Sequence, residues 1–377
     1  MAKKRGYQLL VSIESLLVMA LLSTRGGTFS FANFVFQSMA GRVLLGFGVV
    51  AVFAPAHCGS FCHTGRWFSS DLVVGTIAQS AVIHPLLSSS KSGAGLDFNT
   101  CMLVAMFGWM QLFWANGLNC IWDFHLGADV VPVKAKEGKA KEGDPAPENH
   151  GDDLRLTEGK VQLEEILAHT WIMFAAMCAF GTAIYAHVEP GQYLAVTYLL
   201  VASAVLLAGY STPPLVLKYR ALGEATLVVW ALHVNALLAV VAFKSNPLAP
   251  DFIACSLVCA VLRGYPNFCF NVRDAPSDSQ TPGLQTVATL LGPKGIVAAY
   301  WATVLAVLPA GTAILAVCCG PPVLLALLLL PFGVGACCEA SQFTVPQLSD
   351  SWRFYDYTQF VTCAYLGIQC AQALQVY

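Results

Sequence analysis

Two stretches of this chain have the residue types and spacing to hold a divalent cation. The first reads Asn116-Gly-Leu-Asn119-Cys-Ile-Trp-Asp123-Phe-His-Leu-Gly127-Ala-Asp129. In a helix Asn116, Asn119 and Asp123 stand at i, i+3 and i+7, so all three share one face. The second reads Asn271-Val-Arg273-Asp274-Ala-Pro-Ser-Asp278, with Asp274 and Asp278 as i, i+4 neighbours. Carboxylates are hard oxygen ligands, and Mg²⁺ prefers one or two of them together with a substrate's phosphates over an all-protein cage. Arg155, Lys218, Arg220 and Arg273 add positive charge beside the acids. The ligand that such a set implies is a diphosphate. A lone Asn-x₃-Asp at a helix end is usually a solvated cap; it is the occurrence of two clusters that points to chemistry.

The elements that must position these clusters are membrane helices. The chain has 377 residues, 56% hydrophobic and only 11% charged, against about 25% charged in soluble domains. Its mean hydropathy is +0.63, which excludes a soluble enzyme. A net charge of -2 gives no basic surface for nucleic acid. Nine stretches approach the roughly 20 apolar residues needed to cross a bilayer: 72–89, 101–122, 167–187, 192–209, 224–243, 252–270, 295–318, 321–338 and 357–375. Arg263 interrupts the sixth, at a depth where charge is costly. Lys and Arg crowd the loops after even-numbered spans, including Lys134, Arg155, Lys218, Arg220, Arg273, Lys294 and Arg353, whereas the odd loops hold Lys91 and Lys244. Positive charge marks one side of the membrane, so the even loops share a face. The acidic clusters follow spans two and six, and the four intervening crossings return the chain to the same side. A diphosphate held there would place its attached group among apolar helices, which makes a lipid-like diphosphate the natural ligand. Aromatic faces such as Tyr210 could stabilise a cation left when diphosphate departs.

Three other features complete the reading. Residues 1–65 form an N-terminal extension: basic Met1 to Arg5, an apolar run from Gln8 to Leu22, and a second run ending Val52-Phe53-Ala54-Pro55-Ala56. This pattern suits either a targeting sequence for a plastid or other internal membrane, or extra membrane helices. The polar loop 131–163, with its Lys-Glu-Gly repeats, reads in its first half as flexible linker. Most of the fourteen cysteines lie in apolar stretches, where Cys behaves as a small hydrophobe.

These motifs resemble the UbiA superfamily of intramembrane prenyltransferases, over residues 66–377. The resemblance implies an all-α, polytopic bundle of nine transmembrane helices with Asp-rich motifs after helices two and six. Asn119-x₃-Asp123-Phe-x₂-Gly127-x-Asp129, Asp152-Asp153-x-Arg155, Asn271-x-Arg273-Asp274-x₃-Asp278 and Tyr210-Ser-Thr-Pro-Pro-Leu-Val-Leu-Lys218-Tyr-Arg-Ala-Leu-Gly-Glu224 look most like the branch that prenylates 1,4-dihydroxy-2-naphthoate and makes menaquinone-4. By position, the resemblance implies that Asn119, Asp123, Asp274 and Asp278 bind diphosphate through Mg²⁺, with Asn271 in the same motif. Arg155, Lys218 and Arg273 would contact the diphosphate or orient the acids, and Asp129 and Tyr210 would line the catalytic chamber. The implied reaction moves an isoprenyl group from an isoprenyl diphosphate to an aromatic acceptor in the bilayer.

The chain departs from the family pattern in three places. Cys120 stands where many bacterial members carry Asp, Phe270 replaces the first Asn of a common Asn-Asn pair, and no Lys follows Gly283. The last departure keeps open a terpene cyclase, in which the ionised chain attacks itself. A transporter or lipid-binding protein is the alternative outside enzymes, although carrier sites usually lie near the bilayer midplane and these acids sit at one surface.

Overall fold

A computed structural model describes residues 98–128 and 156–342, apart from a few single positions, and scattered positions between 353 and 368. The first expected span, the N-terminal extension and residues 131–155 lie outside the described residues, as does most of the last span. So do Asp129, Arg155 and the side chain of Arg263. Every regular element described is helical, and one isolated bridge, Arg220 to Gln285, joins two loops.

The helices are α1 (Phe98–Leu126), α2 (Leu163–Tyr185), α3 (Tyr193–Ser211), α4 (Gly223–Val241), α5 (Pro250–Asp278), α6 (Val287–Ala302), α7 (Leu308–Cys319) and α8 (Leu330–Ala340). Six uninterrupted or kinked helical segments are long and apolar enough to cross a membrane, and they coincide with expected spans three to eight. The expected second span is α1, 29 residues long.

Proline and glycine explain where these helices depart from simple rods. Expected span seven is α6 and α7 joined by a π-helical turn over Thr303–Val307, just ahead of Pro309. Proline cannot donate to the preceding turn, and a π-bulge absorbs the register change. Gly292 bends α6 with φ 60 before Pro293. Span eight begins as a 3₁₀ helix, Pro321–Leu329. The sixth expected span ended at residue 270, but α5 continues to Asp278 through Pro266 and Pro276. The second acidic motif therefore lies on the helix itself, which fixes the i, i+4 relation of its aspartates.

Packing divides the bundle into two cores. Leu103, Val104, Phe107, Met173, Phe180, Leu207 and Trp230 belong to the core of α1–α4, while Cys259, Phe268, Tyr300, Leu315 and Phe354 belong to that of α5–α8. The α4–α5 contact joins the halves. A buried polar chain pins the first half together: Gln111 Nε2 donates to Ser203 Oγ at 2.8 Å, and Trp230 Nε1 donates to Gln111 Oε1 at 2.9 Å. A hydrogen bond exchanged between side chains in an apolar core fixes helix rotation because the alternative is an unpaired polar group. Near the motif α1 and α2 approach closely at Gly117, where a Cβ would lie 2.3 Å from Thr170 Oγ1. The buried cysteines of the second half serve as core residues, and no disulfide occurs among the described residues.

The two faces expected from charge appear as the two ends of the bundle. Thr100, at the start of α1, contacts His187 Nδ1 beyond the end of α2, and Lys244, beyond α4, donates to the His187 carbonyl. The acidic ends of α1 and α5 lie at the other end, beside the loop that carries Lys218.

Candidate active site

Three segments converge at that acidic end: the last turns of α1, the loop from Thr212 to Leu222, and the last turns of α5 with the loop that follows. Asp123 is buried, and both oxygens of its carboxylate accept hydrogen bonds. Oδ2 accepts from Asn119 Nδ2 at 2.6 Å and from Lys218 Nζ at 2.9 Å, while Oδ1 accepts the Tyr219 hydroxyl. Lys218 also donates to Asn119 Oδ1 at 3.2 Å. The expected one-face arrangement of Asn119 and Asp123 is thus realised as a direct hydrogen bond within α1.

A strained loop delivers Lys218 and Tyr219. They occupy a single 3₁₀ turn, Leu217–Tyr219, bracketed by Val216 at φ 39 and Ala221 at φ 55. Left-handed backbone is unfavourable for any residue with a Cβ, most of all a β-branched one, and costs on the order of 1–3 kcal/mol per residue. Surrounding bonds hold it. Val216 N donates to Thr212 O at 3.0 Å, Gln285 N to Tyr219 O at 3.0 Å, and Ala221 N to Gln285 O at 2.7 Å. The last two stitch the Lys218 loop to the loop after α5, so one strained turn is clamped from both halves of the molecule.

Lys218 is the electrostatic link between the motifs. Burial works against its ammonium, but the field of Asp123, with Tyr219, Tyr210 and Asp278, outweighs that penalty and holds the pKa well above the usual lysine value. A residue after α3 therefore senses acids at the ends of both α1 and α5. Asp274 is held differently: Arg273 Nε and Nη2 each reach one of its carboxylate oxygens, a bidentate pair formed by sequence neighbours. The Arg273 guanidinium lies 5.4 Å from the centre of the Phe270 ring, a cation–π geometry. The departure at Phe270 thus has a local role as the cover of Arg273.

Deeper along α5 the polar face continues. Asn271 Nδ2 donates to Glu224 Oε1 on α4 at 2.7 Å, and the Tyr210 hydroxyl donates to Asn267 Oδ1 at 3.3 Å. Tyr219, Glu224 and Asn267 were not among the residues singled out from spacing. The only sequence signal was adjacency: Tyr219 follows Lys218, and Glu224 is a carboxylate in the first turn of an apolar span.

The donor set suits a cation that arrives with its own phosphates. Among the described residues no group of three or more His, Cys, Asp or Glu side chains could hold a metal ion. Asn119, Asp123, Asp274 and Asp278 instead offer hard oxygens from two helix ends facing shared positive charge, which fits the Mg²⁺–diphosphate mode rather than a protein cage.

Six apolar spans and a polar site at their common end define a multi-pass integral membrane protein. The UbiA prenyltransferase family matches residues 82–363, and the chain belongs to that family. No curated protein matches the chain significantly.

Proposed function

We propose that the protein is a Mg²⁺-dependent intramembrane prenyltransferase that moves an isoprenyl group from an isoprenyl diphosphate to an aromatic acceptor, 1,4-dihydroxy-2-naphthoate. Membership of the UbiA family supports the reaction class. The observation that carries the site is the placement of Lys218 within the field of both Asp123 and Asp278, which suits one polyanion spanning the two helix ends. Asn119, Asp123, Asp274 and Asp278 hold the diphosphate through Mg²⁺, and Asn271 stands in the same motif. Bound there, the metal would stabilise charge growing on the departing diphosphate. Lys218 and Arg273 supply fixed positive charge to the same oxygens, and the hydrogen bonds that hold Asp123 keep its carboxylate from swinging away. Tyr210 lines the chamber below them. Asp129 and Arg155 complete the lining and the diphosphate contacts. The allylic carbon–oxygen bond breaks with its electron pair leaving on diphosphate, an electron-rich ring carbon of the acceptor forms the new bond, and that carbon then loses its proton, or its carboxylate as carbon dioxide, to restore the aromatic ring.

Residues 66–377 form the prenyltransferase unit, 1–65 an N-terminal extension, and the organelle proposed is a plastid or other internal membrane. The menaquinone-type acceptor rests on the motif resemblance. The direct test is turnover of purified protein in lipid with Mg²⁺, the naphthoate and geranylgeranyl diphosphate, for wild type and for Asp123→Ala and Asp274→Ala. Loss of turnover in both variants, with membrane insertion intact, is the expected result. Unchanged turnover in both would reject the site.

A further inference from the structure

Below the acidic ends lie two buried polar atoms that the diphosphate chemistry does not use. Among the described residues, Glu224 Oε2 and Asn267 Nδ2 have no hydrogen-bond partner and are shielded from solvent. Buried polar atoms are nearly always paired, so two unpaired ones in one place call for a ligand. They are neighbours. Glu224 is tied through its other oxygen to Asn271, and Asn267 precedes Asn271 by four residues, about 6 Å along α5. Tyr210 closes the space between them. Its hydroxyl holds the far end of the Asn267 amide, and its ring lies against Gly223, where a Cβ would sit 3.2 Å from Tyr210 Cε2 and 3.5 Å from Lys218 Cα. Glycine at 223 lets the Tyr210 ring and the Lys218 backbone approach this closely to the start of α4.

We propose that Glu224 and Asn267 together hold one phenolic hydroxyl of the acceptor ring. This rests on the prenyl-transfer reading and adds the recognition chemistry. A carboxylate oxygen accepts only, an amide nitrogen donates only, and a hydroxyl does both. One hydroxyl therefore satisfies the two orphans at once, donating to Glu224 Oε2 and accepting from Asn267 Nδ2. The same carboxylate repels an anionic group, so an acceptor's own carboxylate points away from this pocket. Such a site discriminates strongly, because an acceptor lacking the hydroxyl leaves both protein atoms buried and unpaired. The pocket adjoins Tyr210 and Lys218, which sets the anchored ring next to the place where the allylic cation forms.

The test is binding of reduced 1,4-dihydroxy-2-naphthoate and of its two monomethyl ethers to full-length protein in lipid nanodiscs, without diphosphate, followed by tryptophan fluorescence. Wild type should bind one ether at least about tenfold more weakly than the diol. In Glu224→Gln the amide keeps the bond to Asn271 but presents a donor to the ligand, so the gap between diol and ether should close. Asn267→Leu removes the donor to the ligand oxygen, which hydroxyl and ether both accept from, so it should weaken diol and ether alike and leave the gap between them. A gap of the same size in wild type and Glu224→Gln would overturn the pocket, as would the absence of any gap in wild type or diol binding that Asn267→Leu leaves unchanged. A merely structural role for Glu224 would weaken diol and ether alike, and that outcome also rejects the proposal. Parallel turnover assays separate this inference from the one beneath it. Transfer to the naphthoate with binding insensitive to both substitutions leaves the reaction standing and removes the pocket. Glu224-dependent binding with no prenyl transfer removes the reaction and keeps the pocket.

Discussion

The acidic ends of α1 and α5 carry the same residue types to the same face of the membrane, but they are built differently. Asp123 is held by a long-range network: Lys218 and Tyr219 reach it from a loop some ninety residues further along the chain. Asp274 is held by Arg273, its immediate neighbour, under the ring of Phe270 one turn earlier. Asp123 takes its partners from a distant loop, whereas the Arg273 pair of Asp274 is local to its own helix. The α1 end should therefore be sensitive to changes in a distant strained loop, while the α5 end should keep its geometry through them.

The strongest way to break this comparison is to ask whether the ends are one site or two. Asp123→Ala and Asp274→Ala should each lower kcat/KM by roughly 10³-fold, and the double variant should lose scarcely more, because groups that act as a unit are not additive. Steady-state kinetics of the three proteins decides; multiplying losses would separate the ends.

Lys218→Met should come next. It removes the cation that Asp123 binds and whose pKa Asp278 also raises, and should cost about 10²-fold in turnover. The Lys218–Asp123 pair is mostly buried, at 15% and 8% side-chain exposure, so the same change should destabilise the protein by on the order of 2 kcal/mol, read as a lower thermal midpoint. The pH dependence has a fixed sign. Folding raises the Lys218 pKa, so its contribution is complete below the unfolded value, about 10.5, and is lost only as pH climbs through the still higher folded value. The difference in midpoint between wild type and Lys218→Met should stay constant from pH 7 to about 10. A difference that shrinks near neutrality would show that Lys218 is not held this way.

Smaller effects sharpen the contrast. Tyr219→Phe deletes one hydrogen bond to Asp123 and should cost about 1 kcal/mol of stability, with a measurable loss of activity. Phe270→Leu removes the ring over Arg273 and should cost about 0.5–1 kcal/mol, measured by thermal unfolding, while turnover changes less than in Tyr219→Phe. The reverse order would mean that the α5 end is the more delicate of the two.

The same division explains what could be read from the sequence. Spans three to eight were visible because apolar length is a local property, and the side shared by both clusters followed from counting crossings. Asn119 with Asp123, and Asp274 with Asp278, were legible because helical spacing fixes them. Nothing local reveals that the Tyr219 hydroxyl reaches Asp123, since that depends on left-handed backbone at Val216 and Ala221, neither of them glycine. Nor does spacing show Glu224 meeting Asn271, which requires the contact between α4 and α5. The apolar stretch ends at residue 270, ahead of the charged Arg273 and Asp274, so apolar length alone does not mark the end of α5. Its residues remain helical to Asp278, with Pro276 tolerated in the last turn.

On the proposed function, the joined acidic ends support prenyl transfer and not ionisation alone. The most direct measurement is quantification, in one reaction, of diphosphate released and prenylated naphthoate formed by purified protein in lipid as Mg²⁺ is titrated. The account predicts no reaction without the metal and one diphosphate for each prenylated ring, with both products absent when the naphthoate is omitted. Diphosphate released together with a hydrocarbon or terpene alcohol in the absence of acceptor would contradict it and assign the same site to cyclisation.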